Sequence, residues 1–175
     1  DEITPNAYRI VPNVYLQAYA AIEHINVFLE NIENSPIDAT VKNQNIAEAK
    51  FLRAVIFFDL VRLFGRVPLK IEPTTVNNPG NLPRASLTDI YKQIITDFTY
   101  AEAGMKDKDE QEIGFPHRLA ATAYLAKVYV QIACLTDNHL EATNEKGKIG
   151  ADGYVGSANE LATALIPSDE QTLYA

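Results

Sequence analysis

Arg53 is the residue whose type and surroundings most demand a chemical explanation. It lies in the run Ala47–Leu69. At about 100° per residue its neighbours on a helix are Ile46, Ala49, Phe57, Leu60 and Phe64. A guanidinium in apolar surroundings is costly unless it is paired and hydrogen-bonded. Two uses meet that requirement. One is a structural ion pair with a carboxylate on an adjacent helix; the other is the binding of an anion. Asp97 sits at the edge of the apolar face of a later helix, near Ile90 and Ala101, and is the expected ion-pair partner. Glu102, which projects between Tyr91 and Ile95, is the alternative.

Other residues with chemical capacity form no legible constellation. His24, His117 and His139 are scattered, and no pair has metal-ligand spacing. Cys134 is the single cysteine; it lies in an apolar run with no histidine near it in sequence, and reads as a small hydrophobe. No nucleophile elbow, Walker loop or dinucleotide fingerprint is present. The acid-rich stretch Asp137–Asp152 lacks the alternating spacing of a calcium loop. Paired carboxylates for glycoside hydrolysis are a three-dimensional property, and nothing in the chain suggests them. The chain therefore reads as a non-enzyme, without catalytic residues, metal or cofactor. Sugar binding needs exposed aromatic platforms with amides and acids at their rim. Tryptophan is absent. Tyr8, Tyr15, Tyr100 and Tyr154 are the aromatics least clearly placed in a core, and each reads first as packing or surface.

The elements that position these residues are helices. The run from Ala47 is apolar almost all round, with Glu48, Asp59 and Arg62 on one narrow stripe, so several neighbours must cover it. It stops at Gly65, and Pro68 cannot restart it. A helix over Ala7–Ile32 is predicted from Tyr15, Ala18, Tyr19, Ile22, Ile25, Phe28, Leu29 and Ile32, with Pro12 kinking it or beginning a new segment. Asn31–Asn43 reads as a turn and short loop around Ser35-Pro36. The proline-rich connection Gly65–Ala85 is long enough to be functional, or a surface loop packed over the helices. Ser86 caps a helix with Asp89 three positions on, and Leu87, Ile90, Tyr91, Ile94, Ile95, Phe98 and Ala101 form its apolar face. Lys106–Glu112 reads as a solvated charge run without function. Pro116 is expected at the first position of a helix to about Leu135, with Ala120, Ala121, Ala123 and Ala126 giving close approach to a neighbour. Thr136–Ser157 reads as a second long connection, Ala158–Ile166 as a short last helix and Thr172-Leu173 as extended.

With 175 residues, 47% hydrophobic and 22% charged, the chain can bury a real core as a single domain over 1–175. A net charge of −8 argues against nucleic acid and anionic membrane surfaces as partners. No stretch reaches the roughly 18 uninterrupted apolar residues of a membrane span, and no signal peptide opens the chain. The helices group as helix–turn–helix pairs. The fold class is all-α: antiparallel helix pairs of degenerate tetratricopeptide-repeat type, whose roughly 34-residue period is broken by long interrupting loops.

These motifs resemble one family. Glu48–Ala54, Asp59–Gly65 and Val67–Leu69 match the helix and its exit in the SusD/RagB family of surface glycan- and nutrient-binding lipoproteins of Bacteroidetes. Arg66 departs from it, since the family usually has Asp or another small polar residue there. Tyr19, Ile22, Ile25 and Asn26 fit the family's first helix, with Ile25 where Ala is common, and the resemblance implies that the next helix begins within Ile37–Lys42, well before the Glu-Ala pair. Ser86, Asp89, Ile90, Tyr91, Ile94, Asp97 and Ala101 fit the third, with Phe98 for Leu. Ala120, Ala121, Ala123, Leu125, Ala126, Lys127, Val128 and Tyr129 fit the next.

The resemblance implies that this chain is an internal piece of a longer protein. That protein would be anchored to the cell outer membrane, facing outwards, through a lipid-bearing Cys upstream of this chain. It would bind an oligosaccharide or another nutrient without catalysis, and would work with a SusC-like TonB-dependent porin in polysaccharide uptake. In that family the ligand is held largely by loops outside the repeat helices, so no ligand-binding residue carries over. The alternative is a tetratricopeptide-type protein–protein interaction module without nutrient binding.

Overall fold

The computed structural model describes residues 7–77 and 80–146. These form four helices in chain order: α1 (Ala7–Ile32), α2 (Ala39–Phe64), α3 (Leu87–Gly104) and α4 (Arg118–Lys146). No strand occurs among the described residues; the one β-bridge joins Pro68 to Arg84. Each helix packs on the next, α2 against α3 most extensively, and α2 also touches α4.

The pairs are antiparallel. Tyr15, early in α1, meets Phe64 at the end of α2, with ring centroids 5.2 Å apart. Ala47, in the first half of α2, abuts Gly104 at the end of α3, and Phe51, at mid-α2, meets Phe98 at 5.6 Å. Phe98 in turn stacks on Tyr124, early in α4, at 5.3 Å. The core is continuous from Ile22 through Phe57, Phe58 and Leu60 to Tyr91, Ile94 and Phe98, and on to Val128 and Ile132. Burying each such large side chain contributes about 1.5–3 kcal/mol. Gly104 closes α3 so tightly on α2 that a Cβ there would stand 2.9 Å from Ala47 Cβ.

The ends follow their local chemistry. Asp38 caps α2, accepting from the backbone N–H groups of Thr40 (2.8 Å) and Val41 (3.3 Å). Those bonds hold its carboxyl below the ordinary range. Gly65, at φ 67°, ends the helix and returns its N–H to Val61 O. Ser86 Oγ accepts from Asp89 N at 3.0 Å at the start of α3.

Several expectations change. The loop ends at Asp38 rather than Asn43, because that cap starts α2 at Ala39, inside the Ile37–Lys42 stretch that the family resemblance implied. α1 runs without interruption through Pro12, which is exposed. Pro116 lies ahead of α4 rather than at its first position: Arg118 N donates to Lys106 O, outside the helix. The connection expected from Thr136 is helix as far as Lys146, since no Gly or Pro interrupts the sequence before Gly147. α2 is not covered all round: Leu52 and Leu63 are exposed beside Asp59 and Arg62. Of the α4 alanines, Ala121 is fully buried while Ala123 and Ala126 face outwards. The expectations for Ala158–Ile166 and Thr172-Leu173 lie outside the described residues.

Candidate functional site

The buried polar groups of the bundle converge on Arg53, which is 5% exposed in a chain otherwise packed there with hydrocarbon. Its Nε donates to Asp97 Oδ2 at 2.8 Å and its Nη2 to Asp97 Oδ1 at 2.9 Å. This is the bidentate geometry that suits a planar guanidinium to a carboxylate. Nη1 donates to Asn26 Oδ1 (2.9 Å) and to Ile71 O (3.3 Å). Four of the roughly five N–H donors of an arginine are thus used inside the protein. Gln93 Nε2 donates a further bond to Asp97 Oδ1 at 3.0 Å. Glu102 has a different partner, accepting from Thr122 Oγ1 of α4. With its donors so committed, Arg53 presents no free fork to an anionic ligand.

The same network fixes the connection after α2. Asn26 Nδ2 donates to Lys70 O and Glu72 O, and Tyr19 Oη donates to Pro68 O at 2.7 Å. Glu23 accepts from Thr74 N at 2.8 Å and pairs with the Lys70 ammonium. Tyr19, Glu23 and Asn26 are four and three residues apart, one stripe of α1. That stripe holds residues 68–74 along the helix. Burial pushes the Tyr19 phenol well above its ordinary value, and its hydrogen bond with Tyr15 adds to this. Burial also pushes the Glu23 carboxyl up, but Lys70 and Thr74 outweigh it and the net shift is downward.

At the amino end of α2 lies a polar cleft of about 600 Å³. Its walls are the first turns of α2 (Thr40, Asn43, Gln44, Glu48), the end of α3 (Ala103, Gly104) and the α3–α4 connection (Glu110, Gln111, Glu112, Phe115). Gln111 Nε2 bridges Glu48 Oε1 (2.7 Å) and Pro116 O (2.8 Å). Gln44 Nε2 donates to the same Glu48 oxygen, and Gln44 Oε1 accepts from Lys106 N. Glu48 Oε2 accepts from none of the described residues. The Phe115 ring is 53% exposed at the rim. An aromatic face with amides and carboxylates beside it is the arrangement that recognises sugar rings and their hydroxyls.

Sequence reasoning missed this cleft. Gln111 belongs to the run expected to be merely solvated; its charged members are exposed, but Gln111 ties the run to α2. The usable signal was the amide cluster Asn43-Gln44-Asn45 together with Phe115 after Gly114. Tyr15 packs against Tyr19 and Phe64. Tyr100 lies under the Lys50 ammonium, 3.8 Å from the ring centroid. The side chains of Tyr8 and His139, and all of Tyr154, lie outside the described residues, as do residues 147–152 and the side chains of 137–146. Cys134 is exposed, where an inert buried thiol was expected. His24 is exposed and His117 half-buried. Among the described residues no three His, Cys, Asp or Glu side chains gather to hold a metal ion, and no helix is long and apolar enough to cross a membrane.

Residues 1–130 match the profile of a SusD-like family described as starch-binding and associating with the outer membrane. A SusD-like protein of Formosa agariphila, P25, is 27% identical over 123 residues. That match takes in 69% of this chain and 23% of the relative; a second protein from the same organism, P2, is 31% identical over 115 residues, 65% of this chain and again 23% of its own length. The chain thus spans under a quarter of the curated relatives it matches. A SusD-like protein of Bacteroides fragilis superposes with a TM-score of 0.65 at 26% identity, over 79% of this chain and 27% of that one. A laminarin-binding SusD-like protein gives 0.63 at 27% identity, over 80% and 31%.

Proposed function

This chain belongs to the SusD-like family, and on that premise we propose that the protein carrying it captures a glycan at the bacterial surface without chemically altering it. The observation that supports this reading is the cleft at the amino end of α2. Glu48, Gln44 and Gln111 form one hydrogen-bonded group there, and Phe115 offers its ring beside them. The amides donate to and accept from sugar hydroxyls, Glu48 Oε2 accepts, and Phe115 covers an apolar sugar face. Arg53 and Asp97 have a structural part: they hold the helices that carry the cleft. We further propose that the protein is an outer-membrane lipoprotein, that residues 1–175 are one helical unit of it, and that it passes its ligand to a TonB-dependent porin of the SusC kind.

The test is isothermal titration of the full-length protein with neutral oligosaccharides, beginning with laminarin- and starch-derived chains. Phe115→Ala should weaken binding of the ligand found by about tenfold, as loss of a stacked aromatic does. Its thermal midpoint should stay within a degree or two, because the ring is half out of the fold. A ligand bound equally well by Phe115→Ala removes the cleft from the site. Cleavage of any glycan by the purified protein overturns the non-catalytic reading. Binding of extended peptides with no glycan bound favours an interaction module instead.

A further inference from the structure

A second cavity, of about 620 Å³, lies at the opposite end of α2. Arg62 comes from the last turn of that helix, Arg66 from the turn beyond Gly65 and Arg84 from the far end of the connection. Three of the chain's six arginines therefore line one cavity, Arg9, Arg53 and Arg118 being the others. Among the described residues Asp59 is the only carboxylate in the wall. Three guanidiniums against one carboxylate leave it at a net charge of +2, within a chain of net charge −8.

The three arginines are held differently. Arg62 stands 3.6 Å from Asp59, one turn back, in an exposed pair of little energetic weight. It also lies over the Phe58 ring, 5.1 Å from its centroid. Arg66 Nε donates to Ala85 O at 3.1 Å. Arg84 is fixed through its backbone, which bridges Pro68, while its side chain makes no hydrogen bond or ion pair with the described residues. A local explanation covers the first two: cations near the carboxyl end of α2 offset its partial negative charge. It does not cover Arg84, which enters from the other end of the connection. The amino end of α3 also opens here, through Leu87, and adds partial positive charge.

We propose that this cavity binds an oxyanion, a sulfate, phosphate or carboxylate group, with Arg84 as its principal clamp and Arg62 and Arg66 beside it. A guanidinium meets two oxygens of such a group at once. The volume suits a small organic ligand bearing the anion as well as the ion alone. Gln131 and Tyr91 line the remaining wall. This inference stands apart from glycan capture at the amino end of α2 and does not depend on it.

The experiment titrates the full-length protein at low salt with sodium sulfate, with sodium phosphate, with an oligogalacturonide and with the methyl ester of that oligogalacturonide. One of the three anionic probes is expected to bind, with affinity falling as sodium chloride is raised. Arg84→Gln should weaken it by about tenfold, the worth of one charge-assisted contact, and Arg62→Gln with Arg84→Gln should abolish it. Thermal midpoints should stay close to wild type, since neither side chain is buried. Free sulfate or phosphate bound as tightly as the oligogalacturonide identifies a small inorganic ligand. An oligogalacturonide bound more tightly than either ion, with its ester weak, identifies an acidic sugar. No binding of any anion, equal binding of acid and ester, or anion binding unchanged in the double variant overturns the proposal. Neutral-glycan binding tested alongside reports separately on the cleft at the other end of α2.

Discussion

The two long connections of this bundle do the same geometric work and are held in opposite ways. Gly65–Ser86 is fastened from inside. Its carbonyls at Pro68, Lys70, Ile71 and Glu72 accept from Tyr19, Asn26 and Arg53, and its two ends meet where Ala85 N donates to Val67 O. Met105–His117 is fastened nearer the surface, by exposed and half-buried bonds of the Gln44 and Gln111 side-chain amides. The difference lies in what water can replace. A carbonyl or carboxylate at the surface that loses its partner recovers a hydrogen bond from solvent. One in the core does not, and bears the full cost of desolvation. Residues 68–74 of the first connection therefore belong to the structure, and losing a partner in the second should cost less.

Removing the guanidinium tests the inner fastening most severely. Arg53→Ala leaves Asp97, 1% exposed, without its cationic partner and with only the Gln93 amide, and leaves Asn26 and Ile71 short of a donor. Losing one member of a buried pair costs about 3–5 kcal/mol. Denaturant unfolding should show a loss of that size, and Arg53→Lys should recover only part of it, because an ammonium cannot span both carboxylate oxygens. A double-mutant cycle with Asp97→Ala should show strong coupling. A loss under about 1 kcal/mol in Arg53→Ala would show that the inner connection is no better fastened than the outer.

The outer fastening should yield far less. Gln111→Ala removes the bridge from Glu48 to Pro116 O at a half-buried position, and about 0.5–1.5 kcal/mol should be lost. Backbone amides of residues 105–117 should exchange with solvent faster, while those of 66–74 keep their protection. Equal changes in exchange across both connections would erase the contrast between them.

How much of this was legible in the sequence follows from the same contrast. The buried faces of α2 and α3 repeat at helical spacing, so Ile90, Tyr91, Ile94, Phe98 and Ala101 could be placed in a core from text alone. The need of Arg53 for partners follows from its apolar neighbours. That Asn26 and Ile71 O would join them does not, because those contacts span 27 and 18 residues and depend on how the connection folds back. The cleft was harder still. Gln111 and Glu48 are 63 residues apart, both polar, and no periodicity marks either. The start of α2 at Ala39 depended on the cap at Asp38, and the extension of α4 to Lys146 on a polar stretch with nothing in it to stop a helix.

The smallest expected effect concerns pH and separates the charged part of the inner fastening from the rest. Glu23 holds Thr74 N and pairs with Lys70, and its carboxyl is held below its ordinary value in the folded chain. A carboxyl with a lowered folded pKa stabilises the fold at pH values above its unfolded pKa, near 4.3, and that contribution is lost as the pH falls through the folded value. Lys70 is common to both proteins, so the difference between them belongs to Glu23. Wild type should lose more stability between about pH 5 and pH 3 than Glu23→Gln does, with the two curves converging at the acid end. Asp38 titrates in the same direction but is common to both proteins and cancels in the difference. Parallel curves would mean that Tyr19, Asn26 and Arg53 hold residues 68–74 by themselves.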